Sequence, residues 1–265
     1  DKTAAESIKL HAGACYEEVI DDLTGLQKAK YEKRIQSSGI RGVAAGRFSA
    51  SASAAAIAKI RKLEGLRLYW SFDRKTMIKK NNLPLIVNLA NPENKGVLKG
   101  KPKLVKGKVG DALEFDGKAS YVTMGKLHLA GKRRGTAMVW AKWSGKKSGG
   151  LQVFSCGPVF SLNTENAGWI GRIVGASMGW KKKGVKLAAR RPKPDQWYHL
   201  AVTYDGKMAR FYVDGQEAAS RPIASAKWTN WGQAYAGGTS KTEQLFDGTV
   251  DEAYTFHAAL TADAL

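Results

Sequence analysis

The chain has 265 residues, 43% hydrophobic and 9% aromatic, with 43 Lys and Arg against 23 Asp and Glu for a formal charge of +20. A chain of this length buries a full core without covalent staples. Its apolar content excludes intrinsic disorder, and it has no apolar run of the roughly 18–20 residues that span a bilayer.

The charge is uneven. Residues 1–66 hold 11 basic and 8 acidic side chains, so the rest of the chain, with 32 and 15, carries +17 of the excess. A field of that sign calls for an anionic partner such as nucleic acid, acidic polysaccharide or an anionic lipid surface. The first residue is Asp1, as expected of a chain whose secretory or organellar leader has been removed; the compartment, organellar or extracellular, stays open.

Residues 3–36 read as helical. Ile8, Ala12, Cys15, Val19, Leu23 and Leu26 recur at three- and four-residue steps and leave Lys9, Glu17, Glu18, Asp21 and Asp22 on the polar side. Thr3 and Glu6 have capping-box spacing, while Gly13 and Gly25 allow two shorter helices in place of one. His11 and Cys15 share a helix face, but no third ligand accompanies them, so packing is the expected role. Residues 37–52, rich in Ser, Gly and Ala, read as a linker or extended arm carrying Arg41 and Arg47. Helical spacing resumes over 54–65 through Ala55, Ile57, Ile60 and Leu63, capped by Ser53 and ended by Gly65.

From Leu66 the texture changes to short strands between turns. Leu66–Asp73 alternates as a first strand, whereas 74–110 is lysine-dotted and loop-like apart from Leu85–Leu89. Ala112–Asp116 and Ser120–Met124 flank Asp116-Gly117, a hairpin signal. Thr136–Trp143, Leu151–Ser155, Val159–Asn163, Trp169–Val174 and Val185–Ala189 follow as strands.

The clearest alternation is Trp197–Tyr204, with Trp197, His199, Ala201 and Thr203 on one face and Tyr198, Leu200, Val202 and Tyr204 on the other. Asp205-Gly206 supplies a positive-φ pair for a tight turn, Phe211 and Val213 return, and Asp214-Gly215 turns again. Gln233–Gly237 and Thr249–His257 close the pattern, with Asp247-Gly248 as the turn between them. About a dozen strands without intervening helices imply an antiparallel sandwich or barrel.

Four ordered motifs carry a resemblance to a known family. They are LYWSFD at 68–73, GDALEFDG at 110–117 followed by SYV at 120–122, QWYHLAVTYDG at 196–206 with FYVDG at 211–215, and FDGTVDEAY at 246–254 ending in Ala259-Leu260-Thr261. Residues 66–265 resemble a laminin-G-like domain of the concanavalin A-like lectin/glucanase superfamily. The resemblance implies a mainly β, two-sheet antiparallel jelly-roll sandwich, with residues 1–65 as a helical N-terminal extension and linker. It also implies a binding or adhesion module, with rim calcium in some members and polysaccharide hydrolysis in some relatives. Asp116 and Asp251 stand in motifs that could reach such a rim, but calcium wants six to eight oxygen ligands and no dense acidic loop supplies them. No cofactor is therefore assigned, and calcium remains an alternative.

Catalytic patterns are missing. A glycosidase needs two carboxylates across the scissile bond, and on a strand the adjacent Asp251 and Glu252 would face opposite sides. His128, His199 and His257 stand in no triad motif, and no phosphate loop or zinc spacing occurs. Cys15 and Cys156, far apart and of unlike surroundings, read as two buried free thiols, with one long-range disulfide as the alternative.

The positive signal is basic. Lys181, Lys182, Lys183, Lys186, Arg190, Arg191 and Lys193 fall between Trp180 and Trp197, and Lys132, Arg133 and Arg134 form a second cluster. Lys146 with Lys147 and the lysines of 99–108 add to these. Such groups contact phosphates or sulfates without reading sequence. The expectation is a non-catalytic binding or scaffolding protein that docks an anionic polymer, RNA or acidic glycan, or the neighbouring proteins of an assembly. Its alternatives are a structural subunit of a large ribonucleoprotein such as an organellar ribosome, a secreted lectin-like module for acidic glycans and, last, a polysaccharide hydrolase.

Overall fold

The computed structural model describes residues 65–127, 134–157, 159–165, 168–173, 185–189, 191–223, 232–239, 244–261 and 265. The helix predicted over 3–36, that predicted over 54–65 up to residue 64, the linker, and the His11–Cys15 pair lie outside the described residues.

Gly65, at φ 86°, turns the chain into β1 (Leu66–Trp70). A 3₁₀ turn (Arg74–Thr76) leads to β2 (Met77–Lys80), β3 (Leu83–Val87), β4 (Lys95–Lys99), β5 (Lys103–Lys106), β6 (Asp111–Asp116), β7 (Tyr121–Leu127) and β8 (Gly135–Trp143). Then come β9 (Leu151–Cys156), β10 (Phe160–Glu165), β11 (Gly168–Ile173), β12 (Val185–Ala188), β13 (Trp197–Tyr204), β14 (Met208–Val213), β15 (Gln216–Pro222), β16 (Gly232–Ala236) and β17 (Asp247–Phe256). Among the described residues these make two antiparallel sheets. One runs β15-β14-β13-β8-β17-β6-β5, with β1 beside β17, and the other runs β12-β11-β10-β9-β16-β7-β4-β3-β2. From Arg67 onward the strands belong to a compact unit spanning Arg67–Ala259.

Period-two patterning builds the core between the sheets. β13 contributes Tyr198, Leu200, Val202 and Tyr204, as its alternation predicts, and β8 contributes Ala137, Val139, Ala141 and Trp143. The facing sheet supplies Val122, Met124, Phe154, Leu162, Trp169 and Ile173. Full burial of a large apolar side chain contributes on the order of 1.5–3 kcal/mol, so this layer is the main source of the fold's stability.

Two tight turns behave differently from one another. At β13–β14 only Gly206 has a positive φ, at 102°. Asp205 closes that turn by accepting the N–H groups of Lys207 (2.9 Å) and Met208 (2.7 Å) and the Arg210 guanidinium (2.7 Å). The positive-φ pair instead occupies β14–β15, where Asp214 (52°) and Gly215 (68°) are both left-handed, as a two-residue type I′ turn requires.

Three sequence expectations are corrected. The stretch 74–110 holds four strands rather than a long loop. β2 and β5 are edge strands with exposed lysines, and edge strands carry charge because their outer side meets water. Asp116-Gly117 does not join a hairpin: β6 pairs with β5 and β17 in one sheet, and β7 with β4 and β16 in the other. The Asp116 carboxylate caps that crossing by accepting three backbone N–H groups and the Ser120 hydroxyl, which hold it well below the usual carboxylate range. Asp247-Gly248 is not a turn but the start of β17, paired with Asp116 and Phe115.

Candidate functional site

Of the ten cations selected on sequence, Arg134, Lys186, Arg191 and Lys193 are described and exposed. Lys132, Arg133, Lys181, Lys182, Lys183 and Arg190 lie outside the described residues. The four do not form one patch. Arg134 immediately precedes β8, while the Arg191 guanidinium lies 5.5 Å from the ring centroid of Trp143, the last residue of β8. At about 3.3 Å per strand residue those ends are about 30 Å apart.

The Trp143 end gathers cations on indole rings. Lys142 lies 5.4 Å from the Trp197 centroid, and Trp143 Nε1 donates to the Lys147 carbonyl at 2.9 Å. Lys147 Nζ in turn donates to the Gly117 carbonyl at 2.6 Å, and the Lys193 N–H donates to the Tyr198 hydroxyl at 3.0 Å.

Lys186 belongs elsewhere, on β12 at the edge of the nine-stranded sheet. Core alternation there sends Leu187, Trp169, Leu162 and Phe154 inward and leaves polar residues outward. Arg172 pairs across to Ser161 on one side and Lys186 on the other. Both cations bond Glu165, Arg172 through Nη2 to Oε1 and Lys186 through Nζ to Oε2. Partial burial lowers the Arg172 pKa from its ordinary value.

Beside this triad, Gln152 Nε2 donates to Asn163 Oδ1 (2.9 Å) and Ser161 Oγ (3.0 Å), and Ser161 Oγ donates to Asn163 Oδ1 (2.6 Å). Further across, the rings of Tyr121 and Tyr235 lie 6.4 Å apart, both half-buried. One outward face therefore combines amide and hydroxyl groups, aromatic rings and a guanidinium. Sequence reading missed Arg172, Gln152 and Asn163; the available signal was the polar alternation Ser161, Asn163, Glu165 within a strand placed for its apolar residues.

The acidic pair is not arranged as the strand rule predicts. Glu252 has φ 49°, and the β17–β8 register shifts between Asp251 and Tyr254, a bulge that breaks alternation. Both carboxyls are buried, at 0% and 1% exposure. Asp251 Oδ2 accepts the N–H groups of Lys108 and Val109, each at 2.9 Å, and Glu252 bonds the Tyr254 hydroxyl. Desolvation pushes both acids up, and the charge of Glu252 adds to the shift of Asp251. His199 packs its ring 5.2 Å from Trp140, beside its strand neighbours as expected. Cys156 is a buried free thiol whose pKa burial raises, while Cys15 lies outside the described residues. Among the described residues no group of three His, Cys, Asp or Glu side chains could hold a metal, and no helix is long and apolar enough to cross a membrane.

Two antiparallel sheets about one core, with a polar half-exposed outer face, define an all-β sandwich module. The model of the concanavalin A-like lectin/glucanases superfamily, in its laminin-G form, matches residues 116–265, and the chain belongs to that family. No curated protein matches it in sequence.

Among solved structures it is similar to domain 4 of AbnA, an extracellular arabinanase from Geobacillus stearothermophilus, in complex with arabinotriose. The identity is 18% and the TM-score 0.56, over 76% of this chain and 96% of that one. It is also similar to the binding domain of Paraclostridial Mosquitocidal Protein 1, at 11% identity and TM-score 0.58 over 75% and 50%. A third is Trypanosoma rangeli sialidase, at 14% and 0.55 over 76% and 32%, so the chain spans about a third of that enzyme. At these identities the likeness is one of fold.

Proposed function

We propose that this protein is a non-catalytic binding module for an acidic glycan, held on the outward face of the nine-stranded sheet. The observation that carries the reading is that the Arg172–Glu165–Lys186 triad and the Gln152–Ser161–Asn163 ladder share one face, with Ser161 the cross-strand partner of Arg172. Amides and hydroxyls match sugar hydroxyls, and a guanidinium can take a carboxylate or sulfate with two parallel hydrogen bonds. Tyr121 and Tyr235 offer ring faces to a sugar's apolar side. Glu165 tempers the two cations, so the face selects a sugar with acidic groups at intervals rather than a uniformly dense polyanion.

The +17 carried beyond residue 66 supports an anionic ligand, and the arabinotriose complex of AbnA domain 4 supports sugar binding on this fold. Arg134, Arg191 and Lys193, with the undescribed Lys132, Arg133, Lys181, Lys182, Lys183 and Arg190, act as peripheral contacts that raise the encounter rate. The buried state of Asp251 and Glu252 supports the non-catalytic reading.

The test is chromatography of the full chain on immobilised sulfated and uronic polysaccharides, with neutral arabinan and RNA as comparisons. Salt-sensitive retention on the acidic glycans, weakened by Arg172→Ala and Asn163→Ala and without release of reducing ends, is the expected result. Equal retention on RNA, indifference to the acidic glycans, or glycan cleavage overturns the proposal.

A further inference from the structure

The nine-stranded sheet ends in β2, whose one neighbour among the described residues is β3. Ile78, Lys79 and Lys80 on this strand are exposed. Ile78 (39%) and Leu83 (51%) are the large hydrophobic side chains that stand exposed among the described residues. They are not scattered. Ile78 pairs with Leu85, and Leu85 pairs with Val97, so an apolar row crosses three strands and runs out at the free edge. Lys80 pairs with Leu83 on the same face. Between Arg74 and Lys108 the chain carries ten basic residues and one acid, Glu93.

We propose that the free edge of β2 receives an extended acidic segment of a protein partner, which adds to the sheet as a tenth strand. Unpaired edge amides and carbonyls are a template for strand addition. Lysines on an edge ordinarily guard against it, yet here they flank exposed apolar side chains, and Ile78 gains nothing from facing water. The same lysines choose the occupant. A second copy would bring another strongly cationic edge, with its own Lys79 and Lys80 among the ten basic residues of 74–108, against this one, and the net like charge opposes that approach. A bilayer is a poor match as well, because the β2–β3 hairpin tip is Asn81-Asn82, two polar residues held at φ 49° and 61°. An acidic, partly apolar strand satisfies both features.

The register sets the partner's sequence. Met77 and Ile78 ask for apolar residues opposite them, and Lys79 and Lys80 for acidic ones. Since the sheet is antiparallel, the segment reads acidic-acidic-apolar-apolar from its N-terminus.

The experiment uses the full chain with a fluorescein-labelled peptide of about six residues centred on Glu-Glu-Val-Val, the reversed Val-Val-Glu-Glu peptide, and vesicles containing anionic phospholipid. Anisotropy should show the first peptide binding about tenfold more tightly than the second. Amide exchange within β2 should slow by about tenfold when it binds. The exposed double change Lys79→Glu with Lys80→Glu should reverse the preference toward a Lys-Lys-Val-Val peptide. Equal affinity for the two orders, binding without protection of β2, protection by vesicles instead, self-association through β2, or no binding each overturns the proposal. These readouts are taken at β2, at the opposite edge of the nine-stranded sheet from Lys186 on β12, and none of them uses a glycan, so a failure of this inference is distinguishable from a failure of the function proposed above.

Discussion

Asp251 and Glu252 are consecutive in the chain, both buried, and close enough that the charge of Glu252 helps hold the proton on Asp251. Strand alternation alone would have separated them. The left-handed Glu252 and the register shift that follows Asp251 keep both from water. Around them Tyr69 stacks on Tyr254 at 4.5 Å, and Asp73 adds a further negative charge. Lys75 and the aromatic hydroxyls offset part of the cost of burial.

This pair predicts an inverted pH dependence. Desolvation pushes Glu252 from 4.5 up to about 8, against the hydrogen bond from Tyr254. A carboxyl whose pKa is higher when folded favours folding most below its unfolded pKa, and loses that contribution as pH rises through the folded value. Stability to urea should therefore fall between about pH 5 and about pH 9. Glu252→Gln, which keeps the shape and cannot ionise, should flatten the decline. Asp116 and Asp205 act in the other direction. Both are lowered in the fold, Asp205 to about 2, so their contribution is lost as pH falls below about 4. A midpoint that rises steadily from acid to alkaline pH would remove this account.

Asp251 has a second, steric role that its charge does not exhaust. Its Oδ2 ties down the backbone of Lys108 and Val109, more than a hundred residues away. Asp251→Ala leaves two amides without that acceptor, and an unsatisfied buried donor costs roughly 1–3 kcal/mol. Chemical unfolding should show a loss of about 2–4 kcal/mol. Asp251→Asn, which keeps one oxygen acceptor, should lose less.

Two glycines separate tight packing from open space. A Cβ at Gly248 would sit 2.2 Å from the Lys142 carbonyl on the neighbouring strand, and its φ is 158°. A Cβ at Gly150 would meet nothing within 4 Å. Gly248→Ala should cost about 2 kcal/mol or more through backbone displacement. Gly150→Ala should be neutral or stabilise by up to about 1 kcal/mol through a less disordered unfolded chain. Thermal denaturation of the two variants side by side checks the pair.

Trp197–Tyr204 was legible because every second side chain enters one core, and the motifs around Asp205, Asp214 and Asp251 marked the family. β2, β5 and β15 were not, because an edge strand is paired on one side only and its charged and polar residues read as loop. The Asp116 turn misled for a related reason. A dipeptide fixes a local reversal but not which sheet receives the next strand, and that depends on pairing with β4 and β16, distant in sequence. The cation clusters were visible as charge, yet nothing in their spacing reveals that Arg134 and Arg191 stand at opposite ends of β8. Arg172 escaped notice because a lone arginine in an apolar strand acquires its partners, Glu165 and Lys186, only when three strands align.

That alignment yields the sharpest test of the proposed binding face. Glu165 occupies both cations at once, so it competes with any acidic ligand for Arg172 and Lys186. Glu165→Gln removes the competitor and leaves the cations in place, and it should strengthen acidic-glycan retention by roughly two- to fivefold at low salt. The side chains of Arg172 and Lys186 are 38% and 44% exposed, so solvent already screens the pairs and their loss should cost the fold little. Arg172→Ala should weaken retention by a similar factor, and the two effects should converge as salt screens them. If Glu165 were a direct ligand for sugar hydroxyls, Glu165→Gln would weaken binding to neutral and acidic glycans alike. Opposite shifts for the two variants on one acidic matrix, with thermal stability unchanged, are the expected result, and a weakening by Glu165→Gln there removes the idea that Glu165 competes for the two cations.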